Sequence, residues 1–169
     1  MNSRVVNVSS SGHRLPSSPF NYTFKEGGYN PWVAYGQSKA ANVYMANEID
    51  RRYGSQGLHA TSLHPGSIEK TGLGKFMDPK QVAAFENNEA FVRTLKSPEQ
   101  GAATTLIAAI GREWEDKGGK YLVDYAEATR GEDDGSVSGV GYVSHTYDPK
   151  KEARLWEDSL AMVELKDDL

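Results

Sequence analysis

No cysteine occurs among the 169 residues, which excludes disulfides, thiolate nucleophiles and cysteine-ligated metals together. The four histidines, His13, His59, His64 and His145, show no metal-ligand spacing, so no metal site is expected. Charge of one sign is also scarce. Nineteen basic against 23 acidic side chains leave a net charge of -4 spread along the chain, which argues against a nucleic-acid groove or a polybasic membrane patch. No apolar run approaches the roughly 20 residues that span a bilayer, so no transmembrane segment is expected. No signal peptide is read, and the cytoplasm is the expected location. The final Lys166-Asp167-Asp168-Leu169 is close to an ER-retention tetrapeptide, but acidic ends of this kind are common on solvated tails.

What is present is an ordinary globular composition, 38% apolar and 25% charged. A chain of this length fits one domain that removes roughly 70% of its unfolded surface from water. The pattern along it alternates. A short β-branched run predicts a strand over residues 4–10, and a polar stretch from His13 to Pro31 follows, long for a simple connection. Ala40, Val43, Ala46, Ile49 and Tyr53 recur at helical spacing, which predicts a helix over 35–53 with Gly54 as its cap. A second strand is expected at 58–64, then a loop region at 67–96 with at least one amphipathic segment around Gln81 to Leu95. Ser97-Pro98-Glu99-Gln100 reads as a capping box that opens a helix over 98–111. A strand at 120–123, an irregular Gly- and acid-rich stretch at 124–147 and a final helix at 149–164 complete the reading; Trp156, Leu160 and Val163 line one face of that helix. Such alternation implies an α/β domain, a parallel sheet joined by right-handed crossovers with helices on both faces.

Tyr35 and Lys39 lie four residues apart, so a helix projects them from one face. A free tyrosine loses its proton at about pH 10, and lowering that to about 7 takes roughly 4 kcal/mol. One ammonium at about 4 Å supplies roughly that much at an effective dielectric of about 20, and a helix N-terminus adds to it. A hydroxyl at the end of the preceding strand, Ser10, would hold a substrate oxygen while Tyr35 exchanges a proton with it. Ligands of open α/β sheets sit beyond the carboxyl ends of the strands, where Ser9-Ser10-Ser11 and His64-Pro65-Gly66 fall. A Tyr-x-x-x-Lys pair alone is common on helices, and Pro-Gly after a strand is first a turn signal. Their order and placement together mark a site.

In that order, Arg4-Val5-Val6-Asn7-Val8-Ser9-Ser10, Tyr35-Gly36-Gln37-Ser38-Lys39 and His64-Pro65-Gly66 resemble the catalytic half of the short-chain dehydrogenase/reductase superfamily. The wide spacing from Ser10 to Tyr35 is similar to the retinol-dehydrogenase and WW-domain-oxidoreductase branch. Gly57 to Gly66 and Ser97 to Thr104 look most like its fungal members. The resemblance implies the C-terminal half of a doubly wound, Rossmann-like parallel sheet and an NAD(P)-dependent oxidoreductase acting on an alcohol/carbonyl pair, with an apolar substrate as one option. It implies Tyr35 as general acid/base, Lys39 tuning it and holding the nicotinamide ribose, and Ser10 orienting the substrate. It also implies Pro65, Gly66, the backbone near Ile68 and Thr71 around the nicotinamide of NADP or NAD. Thr71 comes one residue later than the commonest family spacing.

Two family features are not found in the sequence: the glycine-rich turn that binds the cofactor pyrophosphate, and an asparagine that completes the catalytic set. The expectation is a truncated chain lacking the N-terminal βαβ units and inactive by itself. Its first strand would have an open edge available for a homo-oligomer. Two alternatives stand beside this reading: a non-catalytic binding or regulatory partner, and a nucleotide-sugar epimerase or dehydratase, against which the short tail argues.

Overall fold

The computed structural model describes residues 3–16, 19–25, 28–68 and 71–167. Its elements in chain order are β1 (Ser3–Val8), α1 (Pro31–Tyr53), β2 (Leu58–His64), β3 (Ser67–Ile68), α2 (Pro79–Glu86), α3 (Glu89–Val92), β4 (Leu95–Lys96), α4 (Pro98–Ile110), β5 (Lys120–Val123), β6 (Ala126–Glu127) and α5 (Pro149–Met162). The main sheet has the order β1-β2-β5-β6. β1 pairs parallel to β2 from Ser3↔Leu58 to Val8↔Leu63, and β2 pairs parallel to β5 from Thr61↔Lys120 to His64↔Val123. A small parallel pair, β3 with β4, stands beside it.

Alternation along the strands sorts side chains to two faces. Val6, Leu63 and Leu122 pack with Ala108 and Ile107 of α4 and with Trp114 on one face. On the other, Asn7 donates to the Asn42 carbonyl of α1 at 3.0 Å, and Ala60 and Tyr121 are buried. α5 lies against α1 on this second face. Helices therefore cover both faces of a parallel sheet, as the alternation of elements implies.

β6 departs from the all-parallel expectation. It returns antiparallel to β5 through a two-residue turn, Asp124–Tyr125, both at positive φ (50° and 69°). Two positive φ angles give the turn that matches strand twist, even without glycine. Lys96 holds it by an ion pair with Asp124 and sits 5.7 Å from the centre of the Tyr125 ring.

Element ends differ from the expected bounds for local reasons. The first strand ends at Val8 rather than residue 10, because Ser10 leaves the ladder to cap a 3₁₀ turn, Ser11–Arg14. α1 begins four residues before Tyr35: the Asn30 side chain accepts from the amides of Trp32 and Val33, with Pro31 at the first helical position. In the 67–96 region two short helices, α2 and α3, stand where one amphipathic segment was expected. Asn87 ends the first and Asn88 caps the second. α5 stops at Met162, short of residue 164, as Glu164 turns to φ 57° and the Leu165 amide returns to the Leu160 carbonyl. Val163 is accordingly exposed, and Leu155 joins Trp156 on the packed face. The capping box at Ser97 and Gln100 is present. Of the C-terminal tetrapeptide, Asp168 and Leu169 lie outside the described residues.

Candidate active site

In a β-α-β unit of parallel strands the helix runs back against the sheet, so the start of α1 lies over the carboxyl ends of β1 and β2. There Ser10 turns the chain. Its Oγ accepts from the Gly12 amide at 3.1 Å and opens the Ser11–Arg14 turn. Gly12 faces Tyr35 so closely that a Cβ on it would lie 2.7 Å from Tyr35 Cε1 and 3.5 Å from Ser10 Oγ. Ser10 and Tyr35 thus meet at one glycine.

One turn along α1, the Lys39 Nζ lies 5.6 Å from the centre of the Tyr35 ring. Burial lowers the Lys39 pKa from its usual value. Its described hydrogen bond is a long one, 3.4 Å to the Val8 carbonyl, which Asn42 also meets at 3.0 Å. Two ammonium N–H groups are thus uncommitted among the described residues. The Lys39 backbone is fixed from below: buried Ser9 donates through Oγ to the Lys39 carbonyl at 2.8 Å. Strand end and helix are bonded to each other directly beneath the pair.

Beyond β2, Pro65–Gly66 makes a turn in which Gly66 has φ 94°. A Cβ there would lie 2.6 Å from Lys96 Cδ, so glycine is required both for the backbone and for the close lysine stem. Ile68 belongs to β3 and its side chain packs onto Gly101 of α4, where any side chain would collide. Thr71 is not brought to the other residues; it is exposed, its hydroxyl caps no amide, and Glu69 and Lys70 before it lie outside the described residues.

Two histidines lie at these strand ends, His13 in the turn after β1 and His64 at the end of β2. His13 is buried, with Nδ1 2.7 Å from the Ser10 carbonyl. A carbonyl only accepts, so Nδ1 carries the hydrogen. Burial lowers the His13 pKa to about 4, with the Ser10 bond opposing and the neighbouring His145 and Arg14 assisting. Burial likewise lowers His64 to about 4. Both are neutral at pH 7. The His13 ring lies 4.6 Å from that of Tyr121, whose pKa burial pushes up.

Gly12, Ser9, His13 and Lys96 were not singled out as site residues from sequence. Ser9 adjoins Ser10 and Gly12 follows it by two residues in the strand-end run, the one local signal that points to them.

Compared with known proteins, no family model matches the chain. A short-chain dehydrogenase/reductase, prx1, of Penicillium roqueforti is 47% identical over 165 residues, 98% of this chain and 48% of the relative. The chain is homologous to the short-chain dehydrogenase/reductases. An oxidoreductase of Penicillium decumbens, calI, is 39% identical over 98% of this chain and 49% of its own. Human retinol dehydrogenase 11 is 31% identical over 72% of this chain and 37% of its own, so the likeness reaches the retinol-dehydrogenase branch as well as fungal members. Among solved structures, an uncharacterized protein from Mycobacterium paratuberculosis aligns with TM-score 0.62 and 27% identity, over 99% of this chain and 53% of that one. The chain spans about half the length of the curated short-chain dehydrogenase/reductases it matches.

Proposed function

We propose that the protein transfers a hydride between an alcohol/carbonyl substrate and a nicotinamide cofactor, NADP or NAD, with this chain supplying the groups that handle the proton. One observation carries the reading: Ser10 and Tyr35 meet at Gly12, and the Lys39 Nζ stands 5.6 Å from the centre of the Tyr35 ring, at the carboxyl ends of parallel strands. In it, Tyr35 donates or accepts the proton at the substrate oxygen, and Ser10 Oγ orients that oxygen. Lys39 stabilises the tyrosinate by its charge at short range. The relatives named above support the reaction class, being named oxidoreductases or dehydrogenases.

The residues present fit the nicotinamide-ribose end of such a cofactor. Lys39 has two N–H groups uncommitted among the described residues, and the turn at Gly66 carries no side chain of its own. When bound, the nicotinamide supplies or takes the hydride. Pro65, Gly66 and the Ile68 backbone would border it; Thr71 has only its family position to support it. None of the described residues forms a glycine-rich turn for the pyrophosphate, so the reading applies to a sheet completed by further strands.

The test is Tyr35→Phe and Lys39→Met in the full-length protein, with NADPH binding followed by fluorescence and turnover by NADPH oxidation with decanal. Tyr35→Phe is expected to bind NADPH normally and lose about 10²- to 10⁴-fold in kcat, the usual share of general acid/base catalysis. Lys39→Met is expected to weaken NADPH binding. A Tyr35→Phe protein with wild-type turnover would falsify the reading. A second reading, a binding partner rather than an enzyme, is favoured by the outer edge of β1, which is unpaired among the described residues. A stable oligomer that binds no dinucleotide would support that one.

A further inference from the structure

Arg14 is a fully buried cation, with its side chain 1% exposed. Every one of its five N–H donors is used. Nε donates to the Ser136 carbonyl at 2.7 Å, and Nη1 to the carbonyls of Val140 at 2.8 Å and Gly141 at 3.3 Å. Nη2 donates to the Glu132 carbonyl and to Asp134 Oδ1, both at 2.8 Å. All five acceptors lie between residues 132 and 141, more than a hundred residues downstream.

That segment contains no helix or strand, so its carbonyls must find partners outside a ladder. Its base is closed by the Arg130↔Tyr142 bridge, with the Gly131 amide on the Tyr142 carbonyl at 2.7 Å. The result is a compact loop with its ends together and an arginine as its filling. The loop is shaped for that filling: a Cβ on Gly139 would overlap Nη2, and one on Gly131 would lie 2.9 Å from Nη1. A buried guanidinium is costly unless all its donors are bonded, and here they are.

The backbone of Arg14 leads the other way, into the site. It ends the Ser11–Arg14 turn, whose Gly12 touches Tyr35, and Leu15 beside it packs on Gly36, the neighbour of Tyr35. His145, just beyond the loop, donates through Nε2 to the His13 carbonyl at 2.8 Å, and Tyr44 of α1 donates to the His145 carbonyl at 2.6 Å. The segment after β6 is thus bonded to the turn at two successive residues.

We propose that Arg14 is a positioning residue that fastens the 131–141 loop to the Ser10–Gly12 turn as one wall of the substrate site, so that the loop sets where the turn stands against Tyr35. This rests on the reading of Tyr35 as the proton-transfer group. Neither Arg14 nor the loop bonds to Lys39, Pro65 or Gly66 among the described residues, so the effect falls on substrate rather than on cofactor.

The test uses the full-length protein with Arg14→Lys, which keeps the charge but not the five-donor fork, and Gly139→Ala, which displaces the guanidinium from the loop side. Amide hydrogen exchange over 131–141 is expected to be about tenfold faster in each, the equivalent of one charged hydrogen bond. KM for decanal is expected to rise by about the same factor, with NADPH affinity unchanged. The double variant should be no worse than the more impaired single one, since both break one contact. Faster exchange with unchanged KM and kcat would overturn the proposal, as would unchanged exchange in both variants. A wild-type protein that oxidises no NADPH with decanal counts against that pair of reactants and not against Tyr35. The Tyr35 ring resonance then still decides the coupling: displaced in both variants it supports the role of Arg14, and unmoved it overturns it.

Discussion

The Tyr35 ring lies so close to Gly12 that a methyl group there would stand 2.7 Å from Cε1. The glycine is required by this approach rather than by its backbone angles. Gly12→Ala must push the ring away or open the Ser10 turn. Overpacking of this kind costs about 1–3 kcal/mol. A lower denaturant midpoint is expected, together with a loss of NADPH-dependent turnover that exceeds any loss of NADPH binding. An alanine variant with unchanged midpoint and rate would show that the ring has room to move.

Acid stability depends on the two buried imidazoles. His13 has a folded-state pKa of about 4 against an ordinary value of 6.5, so the unfolded chain binds its proton first. The stabilisation is complete above pH 6.5 and is lost as pH falls from there to about 4. For His13 that is roughly 3 kcal/mol at most. Urea unfolding measured between pH 7.5 and 4 should show a steep decline across this window. In His13→Asn, which can still donate to the Ser10 carbonyl, the decline should be shallower. An equal slope in both proteins would mean that His13 is already solvated.

The contact between α1 and α5 is ionic at its centre. Arg51 bonds both Glu48 and Glu152, whose side chains are 4% and 1% exposed, while Arg52 and Asn47 hold the same carboxylates from the side. Arg51→Met leaves two buried carboxylates short of a cation, with an expected loss of about 3 kcal/mol in unfolding free energy. Arg93→Ala is the control. Its pair with Glu89 is out in solvent, and the midpoint should stay where it was.

Legibility in the sequence followed the range of the interactions. β5 was readable because a buried parallel strand needs a short apolar run, and Tyr121-Leu122-Val123 is one; β2 carries Leu58, Ala60 and Leu63 among polar residues and was legible chiefly from its place between Gly54 and Pro65-Gly66. Tyr35 and Lys39 were readable because helix spacing alone puts them on one face. The start of α1 at Asn30-Pro31 carried a local cap signal, yet it sat at the end of a polar stretch that otherwise read as loop. β6 has two residues and turns on two non-glycine positions at positive φ, so no periodicity announces it. Arg14 was out of reach altogether. Its partners lie 118 to 127 residues away, and most are backbone carbonyls, which have no residue identity to read.

The sheet has unequal flanks. On one side β6 folds back and ends it; on the other, β1 offers an unpaired edge among the described residues, and β1 is the strand that leads into Ser10. Any strand that joins there stabilises the same backbone that positions the hydroxyl, Gly12 and the tyrosine ring. By mass action, the gain grows as RT ln(1 + [L]/Kd) of the joining segment. Occupancy of that edge and order at the site are therefore linked quantities. Within one polypeptide the joining strand is held at high effective concentration, so the site is always formed; as separate pieces, its formation would vary with dilution.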